Sequence, residues 1–454
     1  MASLPLKRPS SLSVVARVFA IALLLILIIA VPSPFAKALY AFFLLILLAV
    51  PIWVVLGLVS VILINETPAI PQGIIGESLF DGLDAFSLIA VPLFILTGDV
   101  LVRSGLSDKL LNVAAATVGG MRSGMGSATV MGCGLFACIS GSDAADAAAI
   151  SRVTLSRLIE EGYPKPYACA LIAAGACTGI LIPPSIAYII IGLVLGISAS
   201  TLFLAAIIPG VFILLGIMVT NIIINRFSNY ENSQVGFSFR RWAAAMWDGK
   251  WAVMIPVILL GGIYAGIFTP AEAAAVAVVV SIVVGFATRN LTLADFPKML
   301  ENSAKINGVI LPIIAFSLPL AQALAVLGIP QAFVALMTSL TTNPALLTLI
   351  MIGILIVAGC FLETTPNIVI LAPILLPLSQ AIGMHEVHFC ITMVTALGVG
   401  FITPPLGLNL FVVSSISKEP ILNIAGRAVP FVFAMLAIVL VIAFVPQLSL
   451  VFIN

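Results

Sequence analysis

Gly179-Ile-Leu-Ile-Pro-Pro-Ser185 returns near the end of the chain as Gly400-Phe-Ile-Thr-Pro-Pro-Leu406, and both copies sit inside long apolar segments. A proline lacks an amide hydrogen and its ring crowds the preceding helical turn, so two in succession open a helix and leave carbonyls without partners. The run ahead of the first break, 168–181, has 14 residues. As helix it is about 21 Å long, too short for a hydrocarbon core of about 30 Å, so it reads as half of a broken helix. Irregular backbone at membrane depth is tolerated where protein buries it or where it lines a cavity.

The repetition is wider than the motif. Pro183 and Pro404, Pro184 and Pro405, and Pro209 and Pro430 are all 221 positions apart, with no gap between them. The same offset carries Gly132 onto Gly353 and lays Ser140-Gly-Ser-Asp-Ala144 over Phe361-Leu-Glu-Thr-Thr365. Chance recurrence in a proline-rich chain accounts for one Pro-Pro pair, but poorly for three prolines and a polar cluster on one offset.

Of 454 residues, 62% are hydrophobic and 8% charged, which excludes an ordinary soluble domain, where about a quarter are charged. The fold class read from this is an all-α polytopic membrane protein with two inverted repeats, each holding a re-entrant hairpin and a broken transmembrane helix. A net charge of +1 indicates no nucleic-acid partner. The six cysteines lie in apolar runs without a Cys-x-x-Cys pair and only two histidines accompany them, so neither zinc nor a disulfide framework is suggested.

Apolar segments long enough to cross run at 38–64, 85–103, 168–197 (broken), 202–225, 251–267, 270–288, 306–326, 389–417 (broken) and 430–451. Residues 125–139, the polar tip Ser140-Gly-Ser-Asp143 and the return 144–150 have the pattern of a re-entrant hairpin. The second hairpin runs 344–362, breaks at Glu363-Thr-Thr-Pro366 and returns over 367–378. The expected organisation is an N-terminal extension over 1–37 with one extra apolar helix, a first repeat over 38–225, a cytoplasmic amphipathic connector over 226–250 and a second repeat over 251–454.

By the positive-inside rule, Arg103, Lys109, Arg122, Arg152, Arg157 and Lys165 place the base of the first hairpin in the cytoplasm. Arg226, Arg240, Arg241 and Lys250 in the connector, then Arg289, Lys298 and Lys305, fall on the same side. The loop closing the second hairpin, Met384-His-Glu-Val-His388, has no Lys or Arg. Five crossings separate the two broken helices, an odd number, so the repeats are inverted. Lys7, Arg8 and Arg17 fall outside if 18–31 crosses, and consistent with the rule if that run lies on the surface.

Each half thus carries a polar tip toward a broken helix, bringing hydroxyls, backbone carbonyls and carboxylates together. Hard oxygen ligands of that kind suit Na⁺. The candidates are Ser140, Ser142, Asp143 and carbonyls around Gly179 and Pro183 in the first half, and Thr364, Thr365, Thr403 and carbonyls around Gly400 in the second. Helix N-termini carry partial positive charge, so the space between the tips can hold a carboxylate without a dedicated arginine. Ser185, Glu363, Pro366, Asn367 and Asn409 are the substrate-side candidates. Isolated membrane Ser and Thr more often bond back to the i−4 carbonyl, but these are clustered. Asp143, Asp146 and Glu363 are costly at membrane depth and default to function. Glu272, just after Thr269-Pro270, reads instead as favouring a helix N-terminus, and Trp242, Trp247 and Trp251 as interfacial anchors. No metal other than Na⁺, no organic cofactor and no catalytic residue is expected; an intramembrane hydrolase would need Asp143 and Asp146 to converge on one water.

Several stretches resemble the large membrane subunit of tripartite ATP-independent periplasmic (TRAP) transporters over residues 38–454. They are Ile89-Ala-Val-Pro-Leu-Phe-Ile-Leu96, the Ser-Gly-Ser segment within 136–150, Gly179 to Ser185, Phe-Thr-Pro-x-Glu-Ala-Ala-Ala within 261–275, and Ile402-Thr-Pro-Pro-Leu-Gly-Leu-Asn409. The resemblance implies Na⁺-coupled import of an organic acid across the bacterial inner membrane. Its implied partners are a small four-helix membrane subunit and a periplasmic substrate-binding protein. A stand-alone ion or organic-anion carrier of the same architecture, needing no binding protein, is the alternative. The two hairpins and two broken helices are expected to travel as one body against a frame of continuous helices, 38–64, 202–225, 270–288 and 430–451. Gly105, Gly119, Gly120 and Gly328 are the candidate hinges.

Overall fold

A computed structural model describes residues 33–71, 73–121, 123–231 and 236–453. The apolar run 18–31 and Arg122 lie outside the described residues. Within them every regular element is a helix. Seven helices are long and apolar enough to cross a membrane, or nine if each bent pair counts as one span.

The 221-residue offset governs where helices begin and end. Asp143–Glu160 maps onto Thr364–Ala381 without slip, and Gly124–Ser140 onto Pro344–Phe361 within one residue. The intervening tips, Gly141-Ser142 and Leu362-Glu363, therefore coincide. Lys165–Leu181 followed by Ile186–Leu195, bent by 41°, corresponds to Glu386–Gly400 followed by Leu408–Ser417. The Pro183-Pro184 and Pro404-Pro405 peptide bonds are both cis. At the first tip Gly141 takes a φ of 63°, and a Cβ there would stand 2.9 Å from the Pro184 carbonyl oxygen, so both conformation and space call for glycine.

Two expectations fail. Segment 38–64 is not one continuous helix but two, Pro34–Leu47 and Ile52–Glu66, packed against each other. Proline disfavours helical geometry in the residue before it, and Pro51 does so here while Ala49 turns the chain at a φ of 57°. Second, the tip of the second hairpin is shorter than Glu363-Thr-Thr-Pro366: helix resumes at Thr364, and Pro366 sits in its first turn, where a missing amide hydrogen costs nothing. The helices that cover 202–225 and 430–451 lie directly against the hairpins and broken helices. Ala199–Ser228 packs on the hairpin helix Gly124–Ser140 and on Glu386–Gly400, while Ile421–Phe444 packs on Lys165–Ala176.

A buried polar joint fixes the first of these associations. Glu231, just past the end of Ala199–Ser228, accepts hydrogen bonds from the Met125 amide (3.0 and 3.1 Å to its two oxygens) and the Tyr163 hydroxyl (2.8 Å). The Tyr167 hydroxyl donates to Asn221 Oδ1 at 3.0 Å, and Asn225 Oδ1 accepts from the Glu231 amide at 3.1 Å. A second core, separate from the one around the hairpins, joins Val55, Leu56 and Leu63 to Ile313, Leu320 and Leu324 of the long helix Phe296–Val326.

Three helices went unanticipated, Ile74–Leu83, Leu106–Val118 and Ile329–Leu340; Gly105 (φ 69°) and Gly328 (φ 66°) open the last two in left-handed geometry. Gly119 is right-handed at a φ of −63°, and a Cβ on Gly120 would meet the Phe237 amide at 2.6 Å. These last two are therefore explained by close packing. The connector forms an exposed helix, Phe239–Asp248, turned 72° from Lys250–Tyr264, with Lys250 Nζ 3.7 Å above the Trp247 ring. Glu272 closes a capping box with Thr269, the amide of each residue bonding the side chain of the other.

Candidate functional site

The two broken helices cross in the middle of the protein. Cys177 Sγ donates to the Gly398 carbonyl at 3.2 Å, and these residues are themselves 221 apart, so the crossing point is shared by both halves. Each hairpin rests on a glycine of the broken helix in its own half. A Cβ on Gly179 would stand 2.7 Å from Asp146 Oδ2 and 2.8 Å from the Asp143 amide; one on Gly400 would stand 2.6 Å from the Ile356 carbonyl. Backbone bonds complete the seats: the Ile186 amide donates to the Gly141 carbonyl at 3.1 Å, and the Gly407 amide to the Cys360 carbonyl at 3.2 Å.

At the first tip Ser140 donates a short hydrogen bond to Asp146 Oδ1 and accepts from the Ser142 amide at 3.3 Å. Ser142 caps the helix Asp143–Glu160. Asp143 and Asp146 are buried, and Oδ2 of each has no hydrogen-bond partner among the described residues. At the second tip the Thr364 hydroxyl and Asn367 Oδ1 are likewise buried and unpartnered, while Asn367 Nδ2 ties the tip by donating to the Leu362 carbonyl at 2.9 Å. Buried oxygens without donors carry a desolvation cost of a few kcal/mol each unless a cation or proton meets them. A set of carboxylate, hydroxyl, amide and main-chain oxygens is the donor chemistry of a small hard cation.

Both tips open onto one cavity of about 530 Å³, lined at its inner end by Ser140, Ser142, Ile186 and Glu363. Helix Ala90–Arg103 supplies Phe94, Ile95, Gly98, Asp99 and Val102; Asp143–Glu160 supplies a stripe of alanines and Arg152; Phe296–Val326 supplies Asn302, Lys305, Ile306, Val309 and Ile310.

Of the sequence-derived candidates, Ser140, Ser142, Asp143, Gly179 and Pro183 gather at the first tip, and Glu363, Thr364 and Thr365 at the second. The Thr403 hydroxyl, just past the end of Glu386–Gly400, donates to the Val399 carbonyl at 2.7 Å, which leaves its oxygen lone pairs free to face a cation. Ser185, Pro366, Asn367 and Asn409 do not line the cavity. The Ser185 hydroxyl is used internally, donating to the Ile180 carbonyl at 2.9 Å and accepting from the Ala187 amide at 3.2 Å. Asn409 reaches across the crossing to the Ala173 carbonyl and the Cys177 sulfur, both at 3.4 Å.

Arg152 also lines the cavity, ten residues along the hairpin helix from Ser142. Sequence spacing held the signal. Ala144, Ala145, Ala148, Ala149 and Arg152 recur at helical intervals from Ser142, which puts the arginine on the face that leaves the tip.

The family model described as "Tripartite ATP-independent periplasmic transporter, DctM component" matches residues 39–448. The chain belongs to this family. Its relatives include a C4-dicarboxylate TRAP transporter large permease protein of Pseudomonas aeruginosa, 35% identical over 82% of this chain and 87% of that one. An isethionate TRAP transporter permease protein of Oleidesulfovibrio alaskensis is 34% identical over 93% of this chain, which spans 66% of the relative's length. Two solved transporters share the fold at low sequence identity. The Alcanivorax borkumensis YdaH transporter has a TM-score of 0.55 at 15% identity, covering 87% of this chain and 97% of that one; Neisseria gonorrhoeae MtrF has 0.57 at 14%, covering 92% and 96%. The TRAP large permeases are transporters, and membrane spans and broken helices of this chain fit that class.

Proposed function

We propose that this TRAP permease imports an organic anion across the bacterial inner membrane, coupled to Na⁺ and supplied by a periplasmic binding protein, with a small membrane subunit at its side. The observation that carries the reading is the meeting of two hairpin tips at one cavity, with unpartnered buried oxygens on Asp143, Asp146, Thr364 and Asn367 behind it. Those oxygens fit Na⁺ as co-transported cargo. The relatives named for C4-dicarboxylates and isethionate support a small carboxylate or sulfonate as the substrate class.

The gap-free offset supports two repeats, 38–225 and 251–454, inserted in opposite senses. The positive charges around the base of the first hairpin support a cytoplasmic position for it. Alternating access follows by an elevator in which hairpins, broken helices, Ala199–Ser228 and Ile421–Phe444 move together. The elements around the second core, from Pro34–Leu47 to Phe296–Val326, stand still.

The test is uptake of succinate or isethionate into vesicles holding the permease and its small subunit, with Na⁺ and the binding protein each supplied or withheld outside. Uptake should require both. Full-rate transport without the binding protein would favour a stand-alone carrier, and transport indifferent to Na⁺ would remove the coupling ion. Ser140→Ala should raise the Na⁺ concentration for half-maximal uptake about tenfold, the cost of one hydrogen-bonding ligand, without loss of expression.

A further inference from the structure

The cavity between tips and mouth is apolar along its length and charged at its ends. From Ser142 to Arg152 is ten residues of one helix, about 15 Å. Ala144, Ala145, Ala148 and Ala149 floor that path with side chains no larger than a methyl group, and Ile306, Val309 and Ile310 roof it. An anion leaving the tips meets no obstruction on the alanine face, and no cation until Arg152.

Most of the other charges there are already engaged. Asp99 accepts from Arg103 at 3.1 Å and from Asn302 at 3.1 Å, and Lys305 is paired with Glu301 at 2.5 Å. Arg157, five residues beyond Arg152, turns to Asn112 and Asp108. Arg152 lines the cavity with no hydrogen bond or ion pair among the described residues. An arginine serving only to orient the chain in the membrane works as well in a loop. This one is set nine residues into the hairpin helix and faces the path.

We propose that Arg152 is an anion-binding station between the hairpin tips and the cavity mouth, taking the carboxylate or sulfonate group of the carried acid as it leaves the tips. The inference rests on the reading of the cargo as an organic anion. The Arg152 backbone sits about 15 Å along the helix from the tip, so a departing acid meets its guanidinium after the tips. It therefore receives the substrate second and sets how readily the tips release it. Its guanidinium presents a fork of N–H donors that matches a planar carboxylate or two oxygens of a sulfonate. Because Arg152 rides on the same helix as the tip, the station travels with the cargo.

The test places a cysteine on the path, Ala145→Cys, with Ala148→Cys as a second position should the first fail to express. Membranes holding the full chain are labelled with a methanethiosulfonate bearing either a sulfonate or a trimethylammonium group. The unmodified chain gives the background from its own cysteines. The ratio of sulfonate to trimethylammonium rates should fall about tenfold when Arg152→Gln is added, and should survive Arg152→Lys at least in part. Millimolar inorganic sulfate should slow the sulfonate reagent in the Arg152 background and not in Arg152→Gln. A ratio unchanged by Arg152→Gln would overturn the proposal. The labelling needs neither Na⁺, binding protein nor the true substrate, so its outcome is independent of whether the proposed transport reaction holds.

Discussion

Replacing Glu231 with alanine should loosen the joint between the first hairpin and the helix Ala199–Ser228. The carboxylate accepts from the Met125 amide, at the start of the hairpin helix, and from the Tyr163 hydroxyl, which precedes the broken helix. Alanine strips both donors of their acceptor in a place where Glu231 is only 8% exposed. A hydrogen bond to a charged group contributes about 1.5–3 kcal/mol, so the pair amounts to about 3–5 kcal/mol, less whatever water recovers at the rim. At roughly 2 °C per kcal/mol for a large domain, the melting temperature should fall by about 5–10 °C. Glu231→Gln keeps one acceptor oxygen and should lose under half as much. The assay is thermal unfolding of purified permease, followed by tryptophan fluorescence. Tyr163→Phe closes a double-mutant cycle: its cost should largely vanish in the Glu231→Ala background. A melting temperature within 1–2 °C of the parent for Glu231→Ala would refute the joint as a stabilising contact. Additive losses from Glu231 and Tyr163 would refute their coupling.

The same joint sets how crosslinks should behave. Gly134→Cys with Leu214→Cys, facing each other between the hairpin and Ala199–Ser228, should form a bridge that leaves uptake largely intact, whereas bridging Ala148→Cys to Ile306→Cys across the cavity should abolish it. The opposite order would remove the elevator. Gly179→Ala puts a methyl group 2.7 Å from Asp146 Oδ2, and Gly400→Ala one 2.6 Å from the Ile356 carbonyl. Each should reduce uptake by at least tenfold while the protein still inserts, because overpacking of about 1–3 kcal/mol displaces a tip rather than unfolding a domain. Wild-type uptake in either variant would show that the tips tolerate displacement.

Repetition was the legible part of this sequence. An offset set by three pairs of prolines located both hairpins, both breaks and the glycine seats at 179 and 400, because a proline or a close-packed glycine acts locally and leaves a mark at one position. What depends on packing between distant segments left no such mark. Pro51 was visible, yet the long apolar run around it outweighed the break it imposes. The packing of Ala199–Ser228 turns on Met125, Tyr163, Tyr167, Asn221 and Glu231 meeting across as many as 106 residues in sequence, and nothing in the periodicity of a mostly apolar helix reports which neighbour it chooses. Arg152 was read as a topological signal because a membrane arginine near a hairpin base usually is one.

The two Pro-Pro breaks are alike in sequence and backbone yet not in surroundings: Pro183 and Pro184 are buried, whereas Pro404, Pro405 and Leu406 are exposed. Under the elevator proposed above, two halves of one design held in unlike environments describe a single frame of a two-frame cycle. Letting each half adopt the other's surroundings generates the missing frame from this chain alone, with 183–185 uncovered and 404–406 sealed. On that reading the duplication stores a second structure, and threading residues 34–228 onto the arrangement of 255–449, and the reverse, would write it out.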